Sequence, residues 1–241
     1  ITNATVHTVT EQGVLENATV VVENGKVIAI NPETLTADTI IDAQGKILTP
    51  GFIGAMNQLG LVEVGAVSRS RDAGDKKADI TFDASLAFNP RSTVIPYSRK
   101  GGITSNVVAP RGGDDMFKGQ TFFTDLSGEF DSVRSSHNNV VIDLGSQSKG
   151  SRALAKSKEK TKDTKDQKDA KEPSREAQVM NALLAGDKAL VAYADRATDL
   201  LALLKIKAEF SLDLVLVGAA DAVLIASEIA EAKVPVVMAA L

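Results

Sequence analysis

Along residues 1–48 apolar and polar positions alternate in short runs. Ala4-Thr5-Val6-His7-Thr8-Val9, Ala18-Thr19-Val20-Val21-Val22 and Lys26-Val27-Ile28-Ala29-Ile30 are rich in β-branched residues, and each predicts a strand. Between the last two, Glu23-Asn24-Gly25-Lys26 sets Asn-Gly where a two-residue hairpin needs positive φ at both central positions. The first fifty residues therefore read as an antiparallel unit. At this size it needs another layer to cover its apolar face.

After Thr49-Pro50-Gly51 the rhythm changes. Short apolar strands are predicted at 52–59, 103–109, 140–144, 189–193, 212–217 and 234–238, and amphipathic helices at 175–184, 197–207 and 220–232. Strands alternating with helices favour a parallel sheet built from β/α units. A further strand pair is expected at 120–126, after the glycine-rich loop Arg111-Gly112-Gly113. From 146 to 176 the composition turns to Lys, Asp, Ser and Thr, including the run Lys156-Ser157-Lys158-Glu159-Lys160-Thr161-Lys162-Asp163. Such a stretch cannot bury enough surface to offset its ordering entropy, so it reads as a solvated, flexible excursion. Its interleaved acids count against a docking arm for an acidic partner.

Composition narrows the chemistry more than the architecture. With 241 residues and 44% apolar content the chain can bury a substantial core, as one large domain or two modest ones. A formal charge of -4 gives no general attraction to nucleic acid or to acidic membranes. No apolar run is long enough to span a bilayer and no signal-peptide pattern opens the chain, although Ile1 reads as mid-strand, as if something preceded it. The absence of cysteine excludes disulfides and thiolate metal sites and leaves the compartment open between cytoplasm and periplasm. The chain has only two histidines, His7 in a predicted strand and His137 in a polar loop. A histidine-rich binuclear metal site cannot be assembled from them, and both read as structural or solvent-exposed. The stretch from Gly112 to Gly119 lacks the Gly-Lys-Ser/Thr ending of a phosphate loop, and the Asn-x-Thr patterns at Asn3 and Asn17 are short enough to be chance.

The stretch Gly45-Lys46-Ile47-Leu48-Thr49-Pro50-Gly51-Phe52-Ile53 resembles the amidohydrolase entry into barrel strand one, where the family continues Asp-x-His-x-His. Here the continuation is Gly54-Ala55-Met56-Asn57-Gln58-Leu59-Gly60-Leu61, so the family's histidines fall on Met56 and Gln58. Alternate residues of a strand face one side, which is why His-x-His points two imidazoles at one ion. Met and Gln keep the spacing and discard the ligand chemistry. The segments Leu86-Ala87-Phe88-Asn89-Pro90-Arg91-Ser92, Gly102-Ile103-Thr104-Ser105, Val108-Ala109-Pro110-Arg111-Gly112-Gly113 and Gly119-Gln120 are similar to the imidazolonepropionase-related branch of that superfamily. Further on, Tyr193 and Asp195 stand where that branch carries histidines, ahead of Arg196-Ala197-Thr198-Asp199-Leu200. Gly218 stands where strand Leu214-Val215-Leu216-Val217 is followed by a histidine in the family.

The resemblance implies an α/β chain: part of a small β-sandwich domain over residues 1–50, and an incomplete TIM-like (β/α) barrel over 51–241. The family hydrolyses carbon-nitrogen bonds of cyclic amides with one or two divalent metal ions, typically zinc. Here the former metal-ligand positions are Met56, Gln58, Tyr193, Asp195 and Gly218, so no metal cofactor is expected and the chain reads as a degenerate scaffold or partner subunit. The alternative is an active hydrolase with a remodelled site drawn from Tyr193, Asp195 and Asp199, with Asp221 nearby, since strand ends in such barrels face the functional mouth. A complete barrel takes roughly 250 residues, and six candidate strands leave it short. The apolar ending Val236-Val237-Met238-Ala239-Ala240-Leu241 would expose a sheet edge, to be completed by further chain or by a second chain. The expected partners are further copies of this chain or an active amidohydrolase paralogue, with no nucleic acid and no membrane.

Overall fold

The computed structural model describes residues 1–145 and 173–238, and these fall into two compact units, Ile1–Phe52 and Ile53–Leu241. Most of the charged stretch expected at 146–176, and the last residues of the apolar ending, lie outside the described residues.

In the first unit, strands β1 (Ala4–His7), β2 (Val14–Ala18) and β5 (Ile47–Leu48) form one sheet in the order β2-β1-β5. Strands β3 (Val20–Glu23) and β4 (Lys26–Ile30) form the predicted hairpin. At its turn Asn24 and Gly25 both take positive φ, 49° and 75°, as a twist-matched two-residue loop requires. The unit departs from a purely antiparallel expectation at one edge. There β5 runs parallel to β1, pairing Thr5 with Ile47 and Val6 with Leu48, because the chain crosses back through 31–46 before pairing again. Ala4, Val6, Ala18 and Val20 form its small core.

The second unit contains two sheets. Strands β6 (Phe52–Asn57), β7 (Ile103–Val108), β9 (Phe122–Asp125) and β10 (Val133–Ser135) make a four-stranded sheet in the order β10-β9-β7-β6. Strands β8 (Phe117–Gln120), β11 (Val140–Gly145), β12 (Leu190–Ala194), β13 (Leu214–Gly218) and β14 (Val236–Val237) make a five-stranded sheet in the order β14-β13-β12-β11-β8. From β11 to β14 the pairing is parallel, as alternation with helices predicts, and β8 is antiparallel to β11. Among the described residues these strands do not close into a barrel.

The pair expected at 120–126 is not a hairpin. The segments on either side of Thr121 join different sheets, β8 against β11 and β9 against β7. Thr121 is fully buried at the corner, its N–H donating to Asn139 O (2.8 Å) and its carbonyl accepting from Asn138 N (2.9 Å). A buried switch point needs its backbone groups paired, and the strand leader at 138–139 supplies the partners.

Helix α1 (Val94–Lys100) precedes β7 and was not evident in the pattern, since Pro96 and Tyr97 break its apolar period. Helix α2 (Arg175–Ala185) opens with Ser174 Oγ accepting from Ala177 N and ends at Gly186 in the left-handed region. Helix α3 (Ala197–Phe210) follows β12. The helix expected at 220–232 divides into a 3-10 turn (Ala220–Ile225) and the short helix α4 (Ala226–Glu231). Ala219, at φ +52°, starts that crossover.

Alternation along the parallel strands sorts the core. Val140, Ile142, Leu190, Ala192, Leu214 and Leu216 face the helices and pack with Leu183, Leu200, Leu203 and Ile229. Val141, Val191, Tyr193 and Val217 face the other way and form a second cluster with Ala109 and Met56. Both faces of β12 are therefore buried, which is why Leu190-Val191-Ala192-Tyr193-Ala194 reads as a nearly continuous apolar run.

Candidate functional site

The face away from the helices carries the polar groups of interest. In-register pairing sets Asp143 of β11 beside Tyr193 of β12, and Tyr193 beside Val217 of β13. Arg111, just after β7, reaches this row. Its Nη2 and Nε donate to Asp143 Oδ2 at 2.9 and 3.2 Å, and its guanidinium carbon lies 4.3 Å from the centre of the Tyr193 ring. Tyr193 Oη donates to Met56 O at 2.7 Å.

The backbone around Arg111 is held firmly. Its N–H donates to Ala73 O (2.8 Å), and its carbonyl accepts from Gln58 Nε2 at 3.4 Å. The flanking glycines have a packing reason. A Cβ on Gly74 would lie 2.7 Å from Arg111 O, and one on Gly113, at φ +74°, would lie 2.3 Å from Asp75 O. The glycine-rich loop thus lets two backbone segments run against each other.

Burial pushes the Tyr193 phenol up to about 12, the Arg111 guanidinium opposing and the Asp143 carboxylate adding to the shift. The phenol is therefore neutral at physiological pH. It serves as a hydrogen-bond donor to the chain at Met56 rather than as an anionic ligand.

Of the five positions where the resemblance puts metal ligands, three meet around Arg111. Met56 packs its side chain into the apolar cluster of Val141, Val191 and Val217, Gln58 holds the Arg111 carbonyl, and Tyr193 lies under the guanidinium. The other two meet at the ends of β12 and β13. Gly218 takes φ +84°, and a Cβ there would lie 2.7 Å from Asp195 Oδ1. The Asp195 carboxylate has no hydrogen bond or ion pair among the described residues, while its backbone carbonyl accepts from Asp221 N (2.9 Å). Asp199 is fully buried in the first turn of α3 and takes Arg196 Nη2 and Nε on Oδ2 at 2.8 and 2.9 Å. Asp221 Oδ2 accepts from Ala197 N at 3.1 Å and so caps α3, whose own N-cap Arg196 supplies no side-chain acceptor.

The resemblance implies a divalent ion at these strand ends, and these residues fit one poorly. A thioether packed in apolar surroundings, an amide nitrogen pointed at a carbonyl, a neutral phenol and a glycine give no donors for zinc or manganese, which leaves the Asp195 carboxylate as a single ligand, too few to hold an ion. Asp143 Oδ2, on the same face of the sheet as Tyr193, already carries the Arg111 cation. Among the described residues no three His, Cys, Asp or Glu side chains gather as a ligand group.

Two residues of this arrangement escaped the sequence reading. Arg111 stands in the sequence only as part of the segment Val108–Gly113 that carries the resemblance, and Asp143 as one acid inside the apolar strand Val140-Val141-Ile142-Asp143-Leu144. The usable signal was Asp143, since a charge in a strand buried on both faces demands a partner. The sequence could not say which. His7 lies in β1 of the first unit. His137 lies in the turn before β11, with Nε2 3.3 Å from Asp83 Oδ2 and Nδ1 2.9 Å from Ser136 Oγ.

No family model and no curated protein matches this chain. Among solved structures it is similar to the crystal structure of an amidohydrolase from Thermotoga maritima MSB8, with a TM-score of 0.72 and 24% identity. The match covers all of this chain and 69% of that one. At that identity the likeness shows a shared fold. No described helix is long and apolar enough to cross a membrane.

Proposed function

We propose that this chain is a member of the amidohydrolase superfamily, of its imidazolonepropionase-related branch, that no longer performs metal-assisted hydrolysis and acts as a scaffold or partner subunit. The observation that carries this reading is the Arg111–Asp143 pair stacked on Tyr193, an arginine among the positions where the resemblance puts metal ligands. In the family a bound metal activates water and polarises the scissile carbonyl. This chain's own residues there bind one another instead: Arg111 neutralises Asp143, and Tyr193 ties β12 to the backbone of β6.

What supports a subunit role is the 3-10 turn Ala220–Ile225, which presents Val223 and Leu224 to solvent, 81% and 70% exposed. The partner we favour is a further copy of this chain or an active paralogue.

The test is turnover and metal content on the same purified sample. The expected result is substoichiometric zinc and manganese by elemental analysis and no hydrolysis of cyclic amides or dipeptides. Stoichiometric metal with measurable turnover would refute the reading. Independent elution of the chain and its paralogue after co-expression would remove the partner role. One observation favours a second reading, a hydrolase with a remodelled site: among the described residues the Asp195 carboxylate, just beyond the end of β12, has no hydrogen-bond or ion-pair partner. On that reading Asp195→Asn abolishes activity while the fold is retained; on ours there is no activity to lose.

A further inference from the structure

Away from the Arg111 row, His137 has a polar partner at each of its ring nitrogens. We infer that Ser136, His137 and Asp83 act as nucleophile, base and orienting group at the turn between β10 and β11, and that Ser136 accepts an acyl group from small activated esters. This turn enters β11 at Val140, at the opposite end of the parallel strands from Asp195 and Gly218. The site uses no metal and none of the positions where the resemblance puts metal ligands, so it stands independently of the non-catalytic reading above.

The polarity of the contacts is that of an activated hydroxyl. His137 Nδ1 lies 2.9 Å from Ser136 Oγ, and Nε2 lies 3.3 Å from Asp83 Oδ2. A neutral imidazole carries one ring proton. A carboxylate facing Nε2 favours the proton there, which leaves the Nδ1 lone pair to accept from the Ser136 hydroxyl. A nucleophile within reach of a base that a third group orients is the arrangement covalent catalysis requires. Asp83 is itself fixed. Its side chain is 14% exposed, and its Oδ1 accepts from Ser85 N at 2.9 Å at the start of the 3-10 turn Ala84–Ala87, so Oδ2 is the oxygen left for the ring.

The backbone that carries the pair is pinned by its neighbours. Asn138 N donates to Thr121 O at 2.9 Å and Asn139 N to Thr121 Oγ1 at 3.1 Å. Lys188 Nζ donates to the carbonyl oxygens of His137 and Asn138, the latter at 3.2 Å. These bonds hold His137 at φ +55°, in the left-handed region that residues with a Cβ seldom occupy. The turn therefore places the imidazole and Asp83 aligns it. Ser136 is half-buried and His137 is exposed, so an electrophile reaches the hydroxyl from solvent.

The step balances without a co-reactant. As Ser136 Oγ attacks the ester carbonyl carbon, His137 Nδ1 takes the hydroxyl proton. The carbon–oxygen bond to the alcohol then breaks, the alcohol leaves with the proton that His137 returns, and the acyl group stays on Ser136. Asp83 keeps its charge throughout and stabilises the imidazolium formed between the two transfers.

The experiment follows p-nitrophenol release from p-nitrophenyl acetate, and maps the adduct of a fluorophosphonate probe by mass spectrometry. The proteins are wild type, Ser136→Ala, His137→Gln and Asp83→Asn, each checked for fold by circular dichroism. Wild type is expected to release p-nitrophenol faster than Ser136→Ala and to carry the adduct on Ser136. His137→Gln is expected to react about 100-fold more slowly, because a general base contributes roughly 10²–10⁴-fold and a ring with a 55% exposed side chain stands at the low end. In Asp83→Asn the amide oxygen keeps Ser85 N, so the amide nitrogen faces Nε2 and donates to it. The ring proton then moves to Nδ1, and the rate falls although the fold is retained. Nitrogen NMR of isotope-labelled histidine in mildly alkaline buffer reads that switch directly, with the proton on Nε2 in wild type and on Nδ1 in Asp83→Asn.

The inference is overturned if wild type releases no more p-nitrophenol than Ser136→Ala, if the adduct lies anywhere but Ser136, or if His137→Gln leaves the rate unchanged. A wild-type ring protonated on Nδ1 overturns it as well. Should a variant fail to fold, the adduct position and the ring tautomer of wild type decide alone. Metal-dependent turnover of cyclic amides would sink the non-catalytic reading and leave each of these readouts standing, so the two failures are distinguishable.

Discussion

Replacing Gly218 by alanine tests whether the position where the resemblance puts a histidine can accept any side chain here. Gly218 ends β13 at φ +84°, in the left-handed region, and a Cβ would lie 2.7 Å from Asp195 Oδ1 and 4.0 Å from Ala194 O. Two penalties combine. The left-handed conformation costs an L-residue about 1–2 kcal/mol, from which about 0.4–1 kcal/mol is recovered because alanine restricts the unfolded chain. The second is displacement of the Asp195 carboxylate. It is the far end of a rotatable side chain, so its cost is that of an off-rotamer adjustment, about 0.5–1.5 kcal/mol. Together these come to about 2 kcal/mol, or roughly 4–8 °C in thermal midpoint for a chain of this size.

Gly186→Ala is the matched control. Gly186 has nearly the same φ, +83°, as the left-handed cap of α2, but nothing lies within 4 Å of its Cβ position. It isolates the backbone term, with an expected loss of about 1 kcal/mol. The assay is denaturant unfolding followed by helical circular dichroism, which suits a chain without tryptophan and reports on the unit that holds the helices. Equal losses for the two variants would mean that Asp195 does not stand against Gly218. A neutral Gly218→Ala would mean that the backbone there is not left-handed. Gly218→His faces both penalties, so introducing the residue type that the resemblance puts there is expected to lower stability without zinc uptake.

Further predictions concern the neighbouring groups. The unfolded-state phenol of Tyr193 titrates near 10 and the folded one at about 12, so the unfolded chain loses its proton first. The stability this contributes is present below pH 10 and is lost as pH rises from 10 to about 12. Tyr193→Phe should remove that slope, read as the difference in unfolding free energy between the two proteins across the window. At neutral pH the same substitution should cost about 1–2 kcal/mol, because Met56 O loses its buried donor. Asp199→Asn should destabilise by about 2–3 kcal/mol in denaturant unfolding, since it leaves Arg196 unpaired beside a buried helix start. A loss below about 0.5 kcal/mol would show that the pair carries no structural weight and return Asp199 to the remodelled-site reading.

Strand and helix positions in the second unit were legible because the parallel strands are buried on both faces and the helices on one, which gives each its own hydrophobic period. The hairpin at Asn24-Gly25 was legible for a local reason, the demand for positive φ at two adjacent residues. Failures of the reading came where local sequence is ambiguous. The strand pair expected at 120–126 is instead two strands, Phe117–Gln120 and Phe122–Asp125, which Thr121 divides between two sheets. That assignment depends on pairing with β11 and β7 rather than on anything within the segment.

For the candidate site, the linear chain determined that Met56, Gln58, Tyr193, Asp195 and Gly218 bring no imidazole, because a residue's chemistry is written at its own position whatever it later touches. It could not say what those residues meet. Arg111 meets an aspartate 32 residues away, and the Tyr193 hydroxyl bonds to a carbonyl 137 residues away. Those meetings depend on strand register and on a backbone crossing at Gly74 and Gly113, where close approach needs the missing Cβ. Only packing of the folded chain sets those distances, and only distances separate an ion pair from two unrelated charges.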